Sequence, residues 1–180
     1  MTDENTGVGR LIRTIPKGDN RERMICEDCG FIHYENPKIV VGSVCTWQSE
    51  VLLCRRAINP RSGYWTIPAG YMELNETAET GAIREAAEEA CAVIDIEGLI
   101  AIYNIPRISQ VQLIYRATIR DGKYSVGEET IESRLFSWKE IPWGELAFPS
   151  VRWSLEHWKL ISERPDWPPF SNPLGEDGSY

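Results

Sequence analysis

GYMELNETAETGAIREAAEEACA, residues 70–92, is the stretch on which the chain turns. Within it Glu85, Glu88 and Glu89 stand at i, i+3 and i+4. On a helix that spacing puts three carboxylates on one face, about a turn apart. Like charges so placed weaken a helix unless a cation neutralises them. A hard divalent cation such as Mg2+ answers that need, because it takes oxygen ligands. The segment therefore reads as built to hold metal. Thr77 is the natural N-cap, Glu79 suits the positive end of the helix dipole, and the helix is predicted over 77–90. Ala78, Ala82, Ile83, Ala86, Ala87 and Ala90 lie away from most of the glutamates, and alanines that small predict close packing onto a sheet.

Working outward, Ile39–Trp47 (IVVGSVCTW) is β-branched and apolar and reads as a buried strand, with Val51–Arg56 following as in a hairpin. Asn59–Gly63 is a loop leading through Trp65–Pro68 into the glutamate segment. Val93–Tyr103, Gln110–Ile119 and Leu135–Trp138 read as further strands, with a turn at Asp121-Gly122. Ser150 is placed to cap a second helix whose Val151, Leu155, Trp158 and Ile161 form an apolar stripe. Trp153 and Trp158 are assigned to packing. Strands, helix, strands, helix is the order of a mixed sheet held between helices. Three parts are predicted: a polar, turn-rich segment over 1–36, a domain over 37–164, and a Pro- and Gly-rich tail over 165–180, extended or disordered.

Composition bounds the function. The 180 residues carry a net charge of −8, which argues against a nucleic-acid module, since backbone binding needs a basic footprint. No apolar run has the length of a membrane span, and the polar, acidic opening MTDENTGVGR shows neither a secretory signal nor a transit peptide. Five cysteines, an odd number without disulfide-framework spacing, point to a reducing, cytoplasmic compartment.

The glutamate segment resembles the Nudix box: a glycine, five residues, a glutamate, seven residues, then R-E-aliphatic-x-E-E-x-G-aliphatic. Here those places hold Gly70, Glu76 and Arg84-Glu85-Ala86-Ala87-Glu88-Glu89-Ala90-Cys91-Ala92. Every charged position matches. Two positions depart: Cys91 replaces the glycine of the helix end, and Ala86 the bulky aliphatic. A glycine there suits a left-handed helix end; a cysteine is expected to use another cap, at a strain of roughly 1 kcal/mol. The stretches IHYENPKIVVG, VLLCRRAINPRSGYWTIPAGYME, SQVQLIYRA and ESRLFSWKEIPWGELAF are similar to a Nudix subgroup in which a zinc ribbon precedes the catalytic domain. That resemblance implies an α/β fold, a Nudix-type α/β/α sandwich with a mixed sheet, preceded by a small ribbon-like N-terminal segment. It also implies metal-dependent hydrolysis of a nucleoside diphosphate linked to another moiety, with ADP-ribose or FAD as first choices. NADH ranks lower, because the motif of NADH-specific members is missing from YNIPRISQVQ. Some Nudix-like domains only sense nucleotide sugars, but those usually lose box glutamates, and this chain keeps all of them.

A diphosphate repels attacking water until its charge is neutralised, which metal ions accomplish. By the resemblance, Glu85, Glu88 and Glu89 are Mg2+ ligands (Mn2+ a possible substitute), with the Gly70 carbonyl as a further one. One of the glutamates is the general base. Arg84 orients a neighbouring glutamate, and Glu76 pairs with Arg84 or assists the metal through water. Glu129 is the expected additional acidic group, with Glu128 and Glu132 behind it. Arg56 is a candidate phosphate contact; Arg55, Arg56 and Arg61 read equally as surface residues. Tyr64, Trp65 and Tyr103 are candidates to stack on an adenine or flavin ring, with core packing as the competing role. A zinc ribbon needs four ligands. Only Cys26 and Cys29 are present, with GVGRLIRT where relatives carry the other pair and His33 as a conceivable third ligand, so zinc is not expected at this degenerate ribbon. Cys45 and Cys54 read as strand interior. The resemblance further implies a homodimer, with the tryptophan-rich C-terminal region as its interface.

Overall fold

The computed structural model describes residues 9–179. The opening stretch 1–8, read above as free of a leader, lies outside the described residues, as does residue 180. The chain forms two compact units, Met1–Asn36 and Pro37–Tyr180.

The first unit is a three-stranded antiparallel sheet in the order β1 (Leu11–Thr14), β2 (Arg23–Cys26), β3 (Ile32–His33). With so little apolar material, it is tied together by polar contacts. Arg23 donates to Asp19 at 3.1 Å and lies over the Tyr34 ring.

In the second unit β4 (Lys38–Trp47) and β5 (Glu50–Arg56) form the predicted hairpin, turning through Gln48 and Ser49 in the left-handed region. Short strands β6 (Trp65–Thr66) and β7 (Ala69–Tyr71) pair with β5 and β4 and deliver the chain to α1 (Ala78–Ala90). The long strands β8 (Ile94–Ile105) and β9 (Gln110–Ile119), then β10 (Thr130–Phe136), complete a sheet ordered β10-β5-β4-β9-β8. β4 and β9 run parallel and the other neighbours antiparallel, so the sheet is mixed. The second helix, α2 (Pro149–Ile161), covers the opposite face from α1. Ala86 and Ala90 of α1 meet Cys45, Leu52, Cys54 and Ile119, while Ala82 meets Val41 and Tyr115, all fully or nearly fully buried. On the other face Val151, Leu155, Trp158 and Ile161 pack against Val44, Leu53 and Ile100, as the stripe predicts. This is the expected sandwich.

Two local expectations are corrected. α2 begins at Pro149, whose fixed φ suits the first helical position, so Ser150 is inside the helix and does not cap it. The tail takes the extended alternative, but it is anchored along its length and not disordered. Phe170 bonds by its backbone to Ile100 (2.8 Å) and Ile102 (2.9 Å) of β8, and its ring stacks on His157 at 4.2 Å. Trp167 donates to the Leu99 carbonyl at 2.8 Å, and Asn172 brackets Asn104 with two 2.8 Å bonds. The tail thereby covers backbone groups that β8, at the end of the sheet, would otherwise leave bare. Trp153 and Trp158 point into the chain's own core, so neither lines an exposed interface.

Candidate active site

α1 carries the site, and its two ends are fixed independently. At its start Thr77 accepts from the Thr80 N–H at 3.2 Å while the Thr80 hydroxyl accepts from the Thr77 N–H at 2.8 Å. At its end Cys91 itself adopts the left-handed conformation (φ 47°, ψ 28°), its N–H donating to the Ala87 carbonyl at 3.0 Å. The cap that glycine usually supplies is thus kept in full, and no other cap replaces it.

The glutamates do not share one exposed face. Glu85 and Glu89, four residues apart, are buried against the sheet (7% and 9% exposed), whereas Glu88 is exposed. Ile83 and Ala87, expected on the packing side, face solvent. β7 explains the arrangement. The Ala69 N–H donates to Glu89 Oε2 at 3.2 Å. The Glu85 carboxylate lies over Gly70 so closely that a Cβ there would be 2.5 Å from both its oxygens. A side chain at this position would push the carboxylate out of that place.

Arg84 is the hub of the helix's charge. Its guanidinium clasps Glu76 with two bonds (3.1 and 2.9 Å), donates through Nη1 to Glu85 (2.7 Å) and Glu88 (2.8 Å), and reaches the Tyr71 carbonyl (2.9 Å). Glu76 is held below the usual carboxylate range by Arg84 and by the Glu73 N–H. Burial raises Glu85, although Arg84 opposes it. Burial pushes Glu89 furthest, to about 8, with the negative charges of Glu85 and Glu129 adding to the effect and the Ala69 N–H and Arg56 opposing it.

The remaining candidates fall into two groups. Glu129 and Arg56 come near the buried glutamates, each acting electrostatically on Glu89. Glu129 is held by its carbonyl, which accepts from Ala57 at 2.8 Å; Arg56 donates to the Pro60 carbonyl and lies over Phe148. Tyr64 is exposed beside an open cleft of about 320 Å³ lined by Arg55, Gly63, Tyr64, Gly144 and Glu145. Glu132 is drawn to Arg55, at 3.8 Å.

Trp65 and Tyr103 are corrections. Trp65 is 6% exposed and meets Phe136 edge-on, and Tyr103 is wholly buried with its hydroxyl 2.7 Å from His157 Nδ1. Both rings belong to the core and neither is available to stack on a substrate. The backbone groups of Ala69 and Tyr71, and Phe148 beneath Arg56, went unseen in the sequence. Main-chain donors and acceptors leave no side-chain signal there.

A NUDIX domain matches residues 36–158 and a Nudix N-terminal domain of the zinc-ribbon type matches residues 8–35. A crystallographic NUDIX hydrolase from Nitrosomonas europaea is 43% identical, with a TM-score of 0.86 over 93% of this chain and 95% of that one. An ADP-ribose pyrophosphatase of Methanocaldococcus jannaschii is 25% identical over 138 residues, 74% of this chain and 76% of the relative. The NUDIX domain of Shewanella oneidensis NrtR, solved with ADP ribose, shares the fold at 19% identity and a TM-score of 0.59, over 71% of this chain and 90% of that one. The chain belongs to the Nudix family. It is a Nudix hydrolase, an enzyme that acts on acid anhydrides.

Two metals are implied by that membership, and the residues treat them differently. The N-terminal ribbon calls for zinc, but Cys26 and Cys29 are half a tetrahedral set. Gly9 fills the space beside Cys26, where even a Cβ would collide with its Sγ. His33 is exposed on β3, opposite Met24. The donors do not fit a structural zinc. The glutamate site fits a divalent ion. Its donors are all hard oxygens, and Glu89 Oε2 has a single backbone donor although Glu85 and Glu129 surround it with like charge. Among the described residues no three acidic, His or Cys side chains converge on one point, and Arg84 holds Glu85 and Glu88 to itself. Among the described residues no helix is long and apolar enough to cross a membrane.

Proposed function

We propose that the enzyme hydrolyses the diphosphate of ADP-ribose or FAD, with NADH a less favoured substrate, in a reaction that requires Mg2+ or Mn2+. The observation that carries this is the buried Glu89 of the box helix, held by the Ala69 N–H and within electrostatic reach of Glu85, Glu129 and Arg56. The activity named for the Methanocaldococcus jannaschii relative supports ADP-ribose as first choice.

Glu85, Glu88, Glu89 and Glu129, with the Gly70 carbonyl, would hold the ion. Bound there, it neutralises phosphate charge and lowers the pKa of water. The protein's own groups do the rest. Arg84 fixes Glu76 and Glu85 in place, and Glu88, exposed, is free to leave Arg84 and turn to the ion. Arg56 presents a cation to the anionic substrate from the mouth of β5. Tyr64 offers a ring face to the base or the leaving moiety at the cleft. A homodimer forms part of the proposal and is tested by sedimentation, where twice the 20.5 kDa chain mass is expected.

A hydrolysis panel with Mg2+ over ADP-ribose, FAD, NADH, diadenosine polyphosphates, CoA and damaged dNTPs is the test. Glu88→Gln should lower turnover by about 10²-fold or more, as removal of one electrostatic contributor does, while leaving substrate binding measurable. Reaction with dNTPs alone, or full turnover in Glu88→Gln, contradicts the proposal.

A further inference from the structure

We propose that Gly127 is a positioning residue, the contact that sets Glu129 at its distance from Glu85 and Glu89. The inference rests on the role given above to Glu129.

Gly127 packs directly on the backbone of the last turn of α1. A Cβ at this position would overlap the Glu88 carbonyl oxygen and stand 2.8 and 2.9 Å from the carbonyl carbons of Glu88 and Glu89. These are main-chain atoms of a helix and cannot swing aside. Gly127 is not among the residues with positive φ, so glycine is required by this contact and not by a left-handed backbone. The contact is reinforced on both sides. The Gly127 N–H donates to the Glu89 carbonyl at 3.1 Å and the Ser125 N–H to the Ala90 carbonyl at 2.8 Å. The loop thus takes up carbonyls that the helix end leaves without partners, on the turn whose side chains include Glu88 and Glu89.

From Gly127 the chain has two residues in which to reach Glu129. The Thr130 N–H closes the turn on the Gly127 carbonyl at 3.2 Å, and the Glu129 carbonyl accepts from Ala57 at 2.8 Å. Thr130 then enters β10 opposite Arg56. Glu129 is held between a fixed point on α1 and a fixed point at the end of β5. The tightest contact, 1.8 Å to the Glu88 carbonyl oxygen, decides the displacement; against ordinary contact at about 3.5–4.0 Å between carbons, a methyl group at 127 forces the loop back by more than about 1 Å. Misplacement on that scale costs about 10²-fold in rate where catalytic groups are prearranged.

Four proteins decide the matter: Gly127→Ala, Glu129→Gln, their combination, and a chain with one glycine inserted between Gly127 and Glu128. ADP-ribose turnover with Mg2+, Mn2+ affinity by titration calorimetry, and Tm are measured on each. Gly127→Ala and the insertion should each lose about 10²-fold in kcat and weaken Mn2+ binding. In the Glu129→Gln background Gly127→Ala should add little to either loss, since it acts through that carboxylate. A lowered Tm alone, with kcat and Mn2+ affinity intact, overturns the inference, as does a double variant whose losses multiply. If Gly127→Ala does not fold, a silent insertion overturns it. If Glu129→Gln keeps full kcat and Mn2+ affinity, the role of Glu129 itself falls, a result distinct from the others.

Discussion

Replacing Glu89 by Gln should stabilise the metal-free protein at alkaline pH. Burial holds the Glu89 carboxyl at about 8 in the folded chain against an ordinary 4.5. Between those values the folded state keeps a proton that the unfolded state releases. The associated stability is therefore complete below pH 4.5 and is lost as pH rises through about 8. One pH unit of differential protonation is 1.36 kcal/mol. From pH 5 to 8 the parent protein should lose roughly 4 kcal/mol through this group. Glutamine retains an oxygen for the Ala69 N–H and has nothing to titrate, so most of that slope should vanish in Glu89→Gln. Glu85, also raised by burial, leaves a residual slope of the same sign.

The assay is urea unfolding in EDTA at pH 5, 6.5 and 8. Tryptophan fluorescence serves as the probe, because Trp65, Trp153 and Trp158 are all buried in the second unit. Saturating Mg2+ should restore the parent at pH 8, by about 2.7 kcal/mol at a concentration one hundred times the Kd. It should do less for the variant, which lacks a ligand. An equal pH slope in parent and variant refutes the claim that a buried, poorly paired carboxylate lies at the centre of this site.

Other outcomes follow from the same contacts. Cys91→Gly should raise Tm by about 2–4 °C, since relieving a left-handed non-glycine residue returns roughly 1 kcal/mol; a thermal melt that falls instead would show that Cys91 contributes more than a cap. Tyr103→Phe should cost about 1–2 kcal/mol by removing the bond to His157 while leaving KM for ADP-ribose unchanged; a raised KM would return the ring to the substrate. Ending the chain after Arg164 removes Trp167, Phe170 and Asn172 from β8 and should produce concentration-dependent association in light scattering; a monodisperse chain of unchanged Tm would mean the tail protects nothing.

What the sequence disclosed was whatever leaves a periodic or chemical trace. β9 and α1 are long, and their apolar spacing and cap mark their ends to within a residue. β6 and β7 hold two and three residues, too few for any period to show, yet β7 aims Gly70 and Ala69 at the glutamates. The Gln48-Ser49 turn carries no glycine although both residues are left-handed. Its place had to be inferred from the strands around it. Tyr64 and Trp65 illustrate a further limit. Side chains alternate across an extended chain, so two adjacent aromatics seldom both face a cleft, and sequence alone does not say which one turns inward. Here the core took Trp65, through Phe136 on β10, a residue far along the chain. Tyr103 was taken in the same way by α2. The anchoring of the extended tail went unseen for a related reason. Its proline-rich composition describes a segment that makes no structure of its own, but an existing strand edge supplied the hydrogen-bond partners.

The charges of α1 are not all neutralised in the same way. Clustered carboxylates need a cation, and one is already built into the helix. Arg84 serves Glu76, Glu85 and Glu88 at once. An acidic face neutralised in this way has no need of a metal on charge grounds alone. Glu89 is the exception. It is buried, has one backbone donor, and feels Arg56 only from a distance, while Glu85 and Glu129 press negative charge on it. Glu129 is brought there by the loop that packs through Gly127 on the same helical turn. A fold that left this carboxylate to itself would give up stability at neutral pH with nothing in return. A divalent ion at Glu89 offsets that cost, and the same ion is what a phosphoanhydride needs before water can attack it. The proposed metal requirement therefore rests on one buried side chain more than on the number of glutamates.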